Sequence, residues 1–234
     1  MPRQIPDDRL ERLVECATRV FIERGYRRTQ MADVADALGV AKGTVYLYVE
    51  SKEALFDLVC RSADGRWSGP PPQLPVPTPA AGATLAFASE EMIGGRALPA
   101  LESALAGGEG GDARAELDAI VRELYRLLGS NRCGIKLIDV CSRDYPELAG
   151  LWFVRGREAL LETLQLYLTE RIRRGVLRPL PDVAVGARML LETTVFWAVH
   201  RHWDPHPQTV DDQAAEDTLV AVFTNALVVE VGHD

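Results

Sequence analysis

The sequence predicts an all-α protein made of two helical parts, and three observations carry that prediction. Apolar residues recur at helical spacing along most of the chain, beginning with Leu10, Leu13, Val14, Ala17, Val20 and Phe21. The helical stretches are punctuated by Gly and Pro, the residues that most readily end a helix. No stretch of note alternates apolar and polar residues with the period of two that a half-buried strand needs.

The first helix runs from about residue 7 to 24, and Gly25 ends it. The second spans 31–38, and Thr29 just before it offers a hydroxyl to cap its free N–H groups. Gly39 reverses the chain, and a third helix opens at Lys42. Ala41 stands where an N-cap hydroxyl is expected and supplies none, which leaves those N–H groups for water or a phosphate. Ser51 caps a fourth helix, with Glu53 favourable to the dipole in its first turn. That helix should run to about Trp67 and join the two parts. The prolines of GPPPQLPVPTPAAG at 69–82 forbid a helix and predict a stiff, PPII-like connection. A Pro-rich docking peptide is the sharper alternative for the same stretch. Further helices are expected near 80–94, 99–106, 112–129, 131–143, 146–174, 182–203 and 212–231. GGEGG at 107–111 is a flexible turn, Gly175 ends the long helix, and Asp182 caps the next.

Residues 24–59 are the most informative stretch. Ala35 falls where the next helix crosses closest and is small, and Gly39 falls where positive φ is needed. Val34, Leu38, Val40 and Val45 close the corner between the two helices. The other face of the third helix, with Lys42, Thr44, Tyr46, Leu47 and Tyr48, is left for a partner. An ordinary αα-corner with surface tyrosines competes with this reading, but small residue, glycine and apolar plug all sit as a helix-turn-helix requires. Such a motif places its second helix in the DNA major groove.

This stretch resembles the DNA-binding domain of the tetracycline-repressor-like (TetR) transcriptional regulators. The resemblance rests on Phe21, Gly25-Tyr26, Thr29, the run Ala-Asp-Val-Ala-Asp-Ala-Leu-Gly-Val at 32–40, Lys42-Gly43-Thr44-Val45-Tyr46 and Ser51-Lys52-Glu53-Ala54-Leu55. It covers roughly the first quarter of the chain. Ala41 replaces the usual Ser, and Leu47-Tyr48-Val49 replaces the usual basic-histidine-phenylalanine ending. The resemblance implies a helix-turn-helix domain over 1–50, a connecting helix over 51–68, and a helical effector-binding and dimerisation domain over 80–234. It implies phosphate contacts from Thr29, Lys42, Tyr48 and Lys52, and base contacts nearest Thr44, Tyr46 and Leu47, with Gly43 at the same surface. The expected function is a DNA-binding regulator, most simply a repressor that binds a palindromic operator duplex as a homodimer and is released by a small, mainly apolar effector.

Net charge is −8 over 234 residues, unusual for a DNA binder, but it is unevenly placed. Residues 1–65 hold ten Lys and Arg against eleven Asp and Glu; the remainder holds 16 of the 26 bases and 23 of the 34 acids. Arg24, Arg27, Arg28, Lys42 and Lys52 bracket the third helix, a modest positive face on an acidic body. No apolar run reaches the ~18 residues of a membrane span, and the opening MPRQIPDDRLERL holds no apolar signal segment. A cytoplasmic location without membrane contact is therefore expected, with Cys16, Cys60, Cys133 and Cys141 reduced. Cys133 and Cys141 lie two turns apart on one expected helix, so a redox role stays open.

Residues 183–199 are apolar on nearly every side, and 219–231 are similar. A helix apolar all round must be covered all round. The economical cover is a homodimer, with Leu190, Thr194, Trp197 and Ala198 of one helix, and Ala221, Val222, Asn225, Ala226 and Val229 of the other, meeting their mates in a four-helix bundle. The resemblance puts the dimer interface at the same place. By the same analogy Met92, Tyr125, Trp152, Phe153 and Tyr167 line an effector cavity with Met189, Thr193 and Phe196. Arg155, Arg157 and Glu192 are available as polar anchors.

His200, His202 and His206 do not predict a metal site, since residues two apart on a helix do not share a face. No cofactor is expected. Gly94-Gly95 and Gly107-Gly108 lack the strand context of a nucleotide loop, and no nucleophile-base pair is evident, so no catalytic residues are assigned. The alternatives are a helix-turn-helix regulator controlled by a protein partner and a helical-bundle enzyme.

Overall fold

The computed structural model describes residues 7–65, 72–94, 98–107, 112–150, 156–206 and 209–229. The described residues are helical, in keeping with the predicted all-α class; two isolated backbone bridges, Val49 with Val76 and Leu177 with Val228, are the only strand-like pairings among them. The chain forms two compact units, Met1–Gly95 with Cys133–Val154, and Arg96–Arg132 with Arg155–Asp234.

In the first unit, α1 (Asp7–Arg24), α2 (Met31–Leu38), α3 (Lys42–Val45) and α4 (Lys52–Ser62) follow one another, with α5 (Ala83–Gly94) packed on α4. The predicted stripe of α1 is its buried face: Leu13, Ala17, Val20 and Phe21. Gly25 ends α1 at φ 80°, its N–H donating to Phe21 O at 2.8 Å. A side chain there would be doubly costly, because its Cβ would stand 3.0 Å from Asp144 Oδ2. An aromatic cluster closes the unit: Tyr26 lies 4.8 Å from Phe56 and 5.0 Å from Tyr145 between ring centres, and Phe21 meets Phe56 edge-on.

Helix α4 stops at Ser62, short of the predicted Trp67, which lies outside the described residues. A tight turn over Ala63–Gly65 follows, with Asp64 at φ 59°. Its carboxylate accepts from the N–H groups of Cys133 at 2.8 Å and Gly134 at 2.9 Å, in the first turn of α8 (Arg132–Cys141). Those N–H groups have no partner within their own helix, so the contact caps α8. Together with Asp144 at Gly25 and Tyr145 on Tyr26, it explains why 133–154 clusters with the N-terminal unit and not with everything beyond residue 80.

The Pro-rich stretch departs from a free PPII connection. Its described part pairs with the chain leaving α3: Val76 N–H donates to Tyr48 O at 2.8 Å, and Glu50 N–H donates to Val76 O at 3.0 Å. Residues 69–71 of the stretch lie outside the described residues.

The second unit contains α6 (Pro99–Ala106), α7 (Ala113–Ser130), α10 (Ala159–Arg173), α11 (Val183–Ala198) and α12 (Asp212–Leu227); α9 (Pro146–Ala149) belongs to the first. Helix α7 is central, packing against α6, α11 and α12 through Leu117, Ile120, Val121, Leu124 and Leu128. The predicted 146–174 helix is realised as α9 and α10, with 151–155 outside the described residues. The predicted 182–203 helix tightens after Ala198 into a 3₁₀ turn over His200–Trp203. Helix α12 ends at Leu227 because Val176–Arg178 takes up its exit: Arg178 N–H donates to Leu227 O at 2.7 Å and Val229 N–H to Val176 O at 3.1 Å. Buried charges in this unit are paired. Arg171 gives both edges of its guanidinium to Glu116 (2.6 and 2.8 Å) and to Ala104 O (2.6 Å), and Glu216 receives Arg122 and Arg126.

Candidate nucleic-acid interface

The turn between α2 and α3 has the predicted geometry. Gly39 sits at φ 73°, and Val40 N–H donates to Ala35 O at 3.0 Å. Val34, Ala35 and Val45 are buried in the corner. Ala41 begins α3 with no side-chain cap, as its chemistry requires. Helix α3 is one turn long, though N–H groups of Leu47, Tyr48 and Val49 still reach back to Thr44 and Val45.

The side chains then divide. Lys42 and Gly43 are exposed, Thr44 is half-buried, and Tyr46 and Leu47 stand out at 40% and 59% exposure. Large side chains, one of them purely apolar, thus project beside the exposed Lys42. Arg27 and Arg28, in the loop between α1 and α2, are also exposed, while Arg24 is held by Asp33 at 2.7 Å.

Three side chains expected at phosphates are engaged within the chain itself. Tyr48 is 2% exposed and packs inward, because the helical register that sends Leu47 outward turns its neighbour toward the core. Thr29 is buried and donates to Gly25 O at 2.7 Å, satisfying a carbonyl at the end of α1. It does not cap α2; the N-cap of that helix is Gln30, whose N–H donates to Asp33 Oδ2 at 2.8 Å. The Lys52 ammonium donates to Tyr26 O at 3.0 Å, Thr29 O at 3.1 Å and Arg27 O at 3.4 Å, and sits 4.5 Å over the Tyr26 ring. Its charge is committed to the loop after α1. Ser51 does cap α4 as predicted, accepting from Ala54 N–H at 3.1 Å.

The expected effector residues do not form one set. Tyr125 and Tyr167 are buried in the second unit; Tyr125 donates to Asp212 at 3.1 Å, and the Tyr167 hydroxyl meets no hydrogen-bond partner within normal distance among the described residues. Burial, then the Glu116 carboxylate, push the Tyr167 pKa up. Met189 and Phe196 are 61% and 42% exposed, on the side of α11 opposite the core, and Thr193 is half-buried. Glu192 is paired with Arg157. Trp152, Phe153 and Arg155 lie outside the described residues, as does the side chain of Met92.

Three of the four residues expected at the dimer face of α11 turn inward. Leu190, Thr194 and Ala198 are buried in the unit's own core, with Thr194 Oγ1 donating to Leu190 O at 2.7 Å, and Trp197 is half-buried. The apolar side left open carries Val185, Met189 and Phe196. On α12 and its exit, Ala221, Val222, Asn225, Ala226 and Val229 are all exposed, though Asn225 also receives Arg114 at 2.9 Å.

No group of three or more His, Cys, Asp or Glu side chains that could hold a metal occurs among the described residues. His202 instead meets Arg132 and Asp212. Burial, then Asp144, push the Cys141 thiol up to about 12, which disfavours the thiolate. No helix among the described residues is long and apolar enough to cross a membrane.

Fold and surface together define a helix-turn-helix DNA-binding domain followed by a helical unit. Residues 13–59 match the family model for bacterial regulatory proteins of the tetR family, which spans the helix-turn-helix and the helices on either side of it. The HTH-type transcriptional repressor KstR2 of Rhodococcus jostii is 41% identical over 49 residues, 21% of this chain and 24% of that repressor. The HTH-type transcriptional repressor DhaR of a Mycobacterium species is 48% identical over 44 residues, 19% and 22% of the two chains. The similarity therefore spans about a quarter of these relatives' length. The structure of the ketosteroid transcriptional regulator KstR2 of Mycobacterium tuberculosis matches over 97% of this chain and 98% of its own, at 17% identity and a TM-score of 0.57. A tetR-family regulatory protein from Rhodococcus RHA1 matches over 97% and 100%, at 15% identity and a TM-score of 0.54. These two carry the likeness of fold across both units.

Sequence reasoning missed the Asp64 cap on α8 and the pairing of Val76. The second had a signal: in Pro-Val-Pro-Thr-Pro at 75–79, only Val76 and Thr78 keep a backbone N–H.

Proposed function

We propose that the protein is a ligand-responsive DNA-binding regulator, most simply a repressor, that binds a palindromic operator as a homodimer. The observation that carries this reading is the division of residues 42–49. Lys42, Gly43, Tyr46 and Leu47 face solvent, while Val45, Tyr48 and Val49 anchor the turn from behind. Lys42 supplies phosphate attraction, the exposed Arg27 and Arg28 add positive charge from the loop after α1, and Thr44, Tyr46 and Leu47 supply base contacts. Dimerisation is supported by the exposed apolar residues of α11 and α12, a face that a soluble monomer rarely leaves open. Two recognition turns related by a two-fold then require two half-sites related by a two-fold. A small, mainly apolar effector is the natural control, taken up in the second unit near Tyr125 and Tyr167. Release requires that it bind the DNA-incompetent state more tightly, about 1.4 kcal/mol for each tenfold loss of affinity.

Selection from a random duplex library tests the reading. Enrichment of one palindrome, with binding that weakens steeply in salt, supports it. Equal binding of single strands and all duplexes refutes it. Titrating apolar compounds against the selected complex then tests the effector: a ligand that binds the second unit tightly yet leaves operator affinity untouched removes the gating and leaves DNA binding standing.

A further inference from the structure

A single helical turn does not hold its own shape in water, and α3 has only Lys42–Val45, with no side-chain cap at Ala41. Its aim must come from what packs behind it. Val45, Tyr48 and Val49 supply part of that. The rest comes from the Pro-rich stretch. Val76 N–H and O bond Tyr48 O and Glu50 N–H, Thr78 N–H donates to a Glu50 carboxylate oxygen at 2.9 Å, and the Thr78 and Ser51 hydroxyls lie 2.8 Å apart.

The sequence of the stretch fits this task. In extended chain, N–H groups two residues apart point to the same edge. Val76 and Thr78 are two apart and both bond the 48–51 segment; Pro75, Pro77 and Pro79 hold the positions between and beside them and have no N–H to leave open. The prolines also fix φ, so little chain entropy is lost when the stretch docks. Its far end is anchored too. Thr84, in the first turn of α5, donates to Asp57 of α4 at 2.8 Å within buried surroundings.

We propose that residues 75–79 are a positioning strap for the DNA-reading turn, with Val76 and Thr78 as the positioning residues. The proposal rests on the DNA-binding reading above. The strap touches the chain one to four residues beyond Leu47, so it sets the angle at which Tyr46 and Leu47 meet the groove without meeting DNA itself. Its loss should reduce discrimination between sequences and leave the phosphate-driven, non-specific binding alone.

The test uses the full chain and the duplex that the wild-type protein enriches from a random library. Val76→Pro deletes the donor to Tyr48 while keeping an extended backbone. Thr78→Val deletes the hydroxyl, and Thr78→Ser restores it. The expected result for Val76→Pro is a loss of about tenfold or more in affinity for the selected duplex, unchanged affinity for random duplex, and faster amide exchange at 44–50 without DNA. Thr78→Val should show a smaller loss of the same kind, which Thr78→Ser rescues. A folded Val76→Pro protein with native affinity and native exchange overturns the proposal, as does an equal loss on selected and random duplexes. Should Val76→Pro not fold, Thr78→Val decides, and behaviour identical to wild type overturns the strap. If the wild-type protein enriches no duplex, the DNA-binding reading falls; the exchange comparison at 44–50 still decides whether the strap holds this turn.

Discussion

The Lys52 ammonium binds the carbonyl of Tyr26 at 3.0 Å and lies 4.5 Å over the ring of the same residue. A lysine at the start of α4 thus closes the end of α1, tying two helices by one side chain. With Thr29 O and Arg27 O, it takes three carbonyls that no helix satisfies. Lys52→Ala should destabilise the folded chain, because carbonyls in a half-buried loop lose a charged donor; hydrogen bonds of that kind contribute about 1.5–3 kcal/mol each before solvent competes. A lower urea midpoint for Lys52→Ala measures it. An unchanged midpoint with uniformly weaker binding to every duplex would return Lys52 to the role of a phosphate contact.

Lys42 and Leu47 should fail in different ways. Lys42 is exposed on the charged side of the turn, so Lys42→Ala should weaken all sequences alike and reduce the slope of log affinity against log salt by about one. Leu47 carries no charge and projects furthest, so Leu47→Ala should change preference at one base pair, by about 1–3 kcal/mol, with the salt slope intact. Binding of singly substituted duplexes over a salt series separates the two, and equal effects on every sequence reject the division of labour.

The helix-turn-helix was legible because its demands fall on single residues: Gly39 for positive φ, Ala35 for close approach, Val45 as plug. Burial of Tyr48 and Thr29 was not, because family pattern names a position and not the side chain's direction. The same limit applies to α11. Its composition reads as apolar all round, yet which apolar side meets α7 and α10 depends on where those helices lie. Composition alone therefore puts Leu190 and Thr194 on the open face and Met189 and Phe196 on the covered one, whereas in the fold Leu190 and Thr194 are buried and Met189 and Phe196 exposed. The Val76 and Asp64 contacts join residues far apart in sequence, and each uses a backbone N–H, which every residue but proline possesses.

Acid should loosen the second unit through its paired carboxylates. Arg171 holds Glu116 below the usual range, and although burial opposes it, Arg132 and its neighbours bring Asp212 to about 2. A carboxylate with a depressed folded pKa stabilises the fold above its unfolded value, near 4, and that contribution is lost as pH falls through the folded value. Burial, then Arg132, also lower the pKa of His202, so protonation near its unfolded value of about 6.5 opposes folding in the same direction. Stability should decline gently below about pH 6.5 and steeply between about pH 4 and 2. Glu116→Gln should flatten the steep limb of a urea midpoint–pH curve. A wild-type midpoint that is level from pH 7 to 3 would show that these pairs do not contribute.

The last prediction separates the two sides of α11. Met189 and Val222 are exposed at 61% and 55%, so an arginine at either costs the isolated unit little. In a homodimer built on those helices the same arginine would be desolvated without a partner, and an uncompensated buried charge costs about 3–5 kcal/mol. Met189→Arg and Val222→Arg should therefore shift the protein toward folded monomer in light scattering, with helical content retained. Leu190→Ala should do the opposite. It opens a cavity in a core position that is 1% exposed, costing about 2–5 kcal/mol of unit stability, while the residues of the open face stay in place. A lower thermal midpoint at unchanged stoichiometry is its expected signature. If Met189→Arg and Val222→Arg leave the dimer intact while Leu190→Ala dissolves it without unfolding, the interface lies on the side of α11 first read from the sequence, and the face described here is only surface.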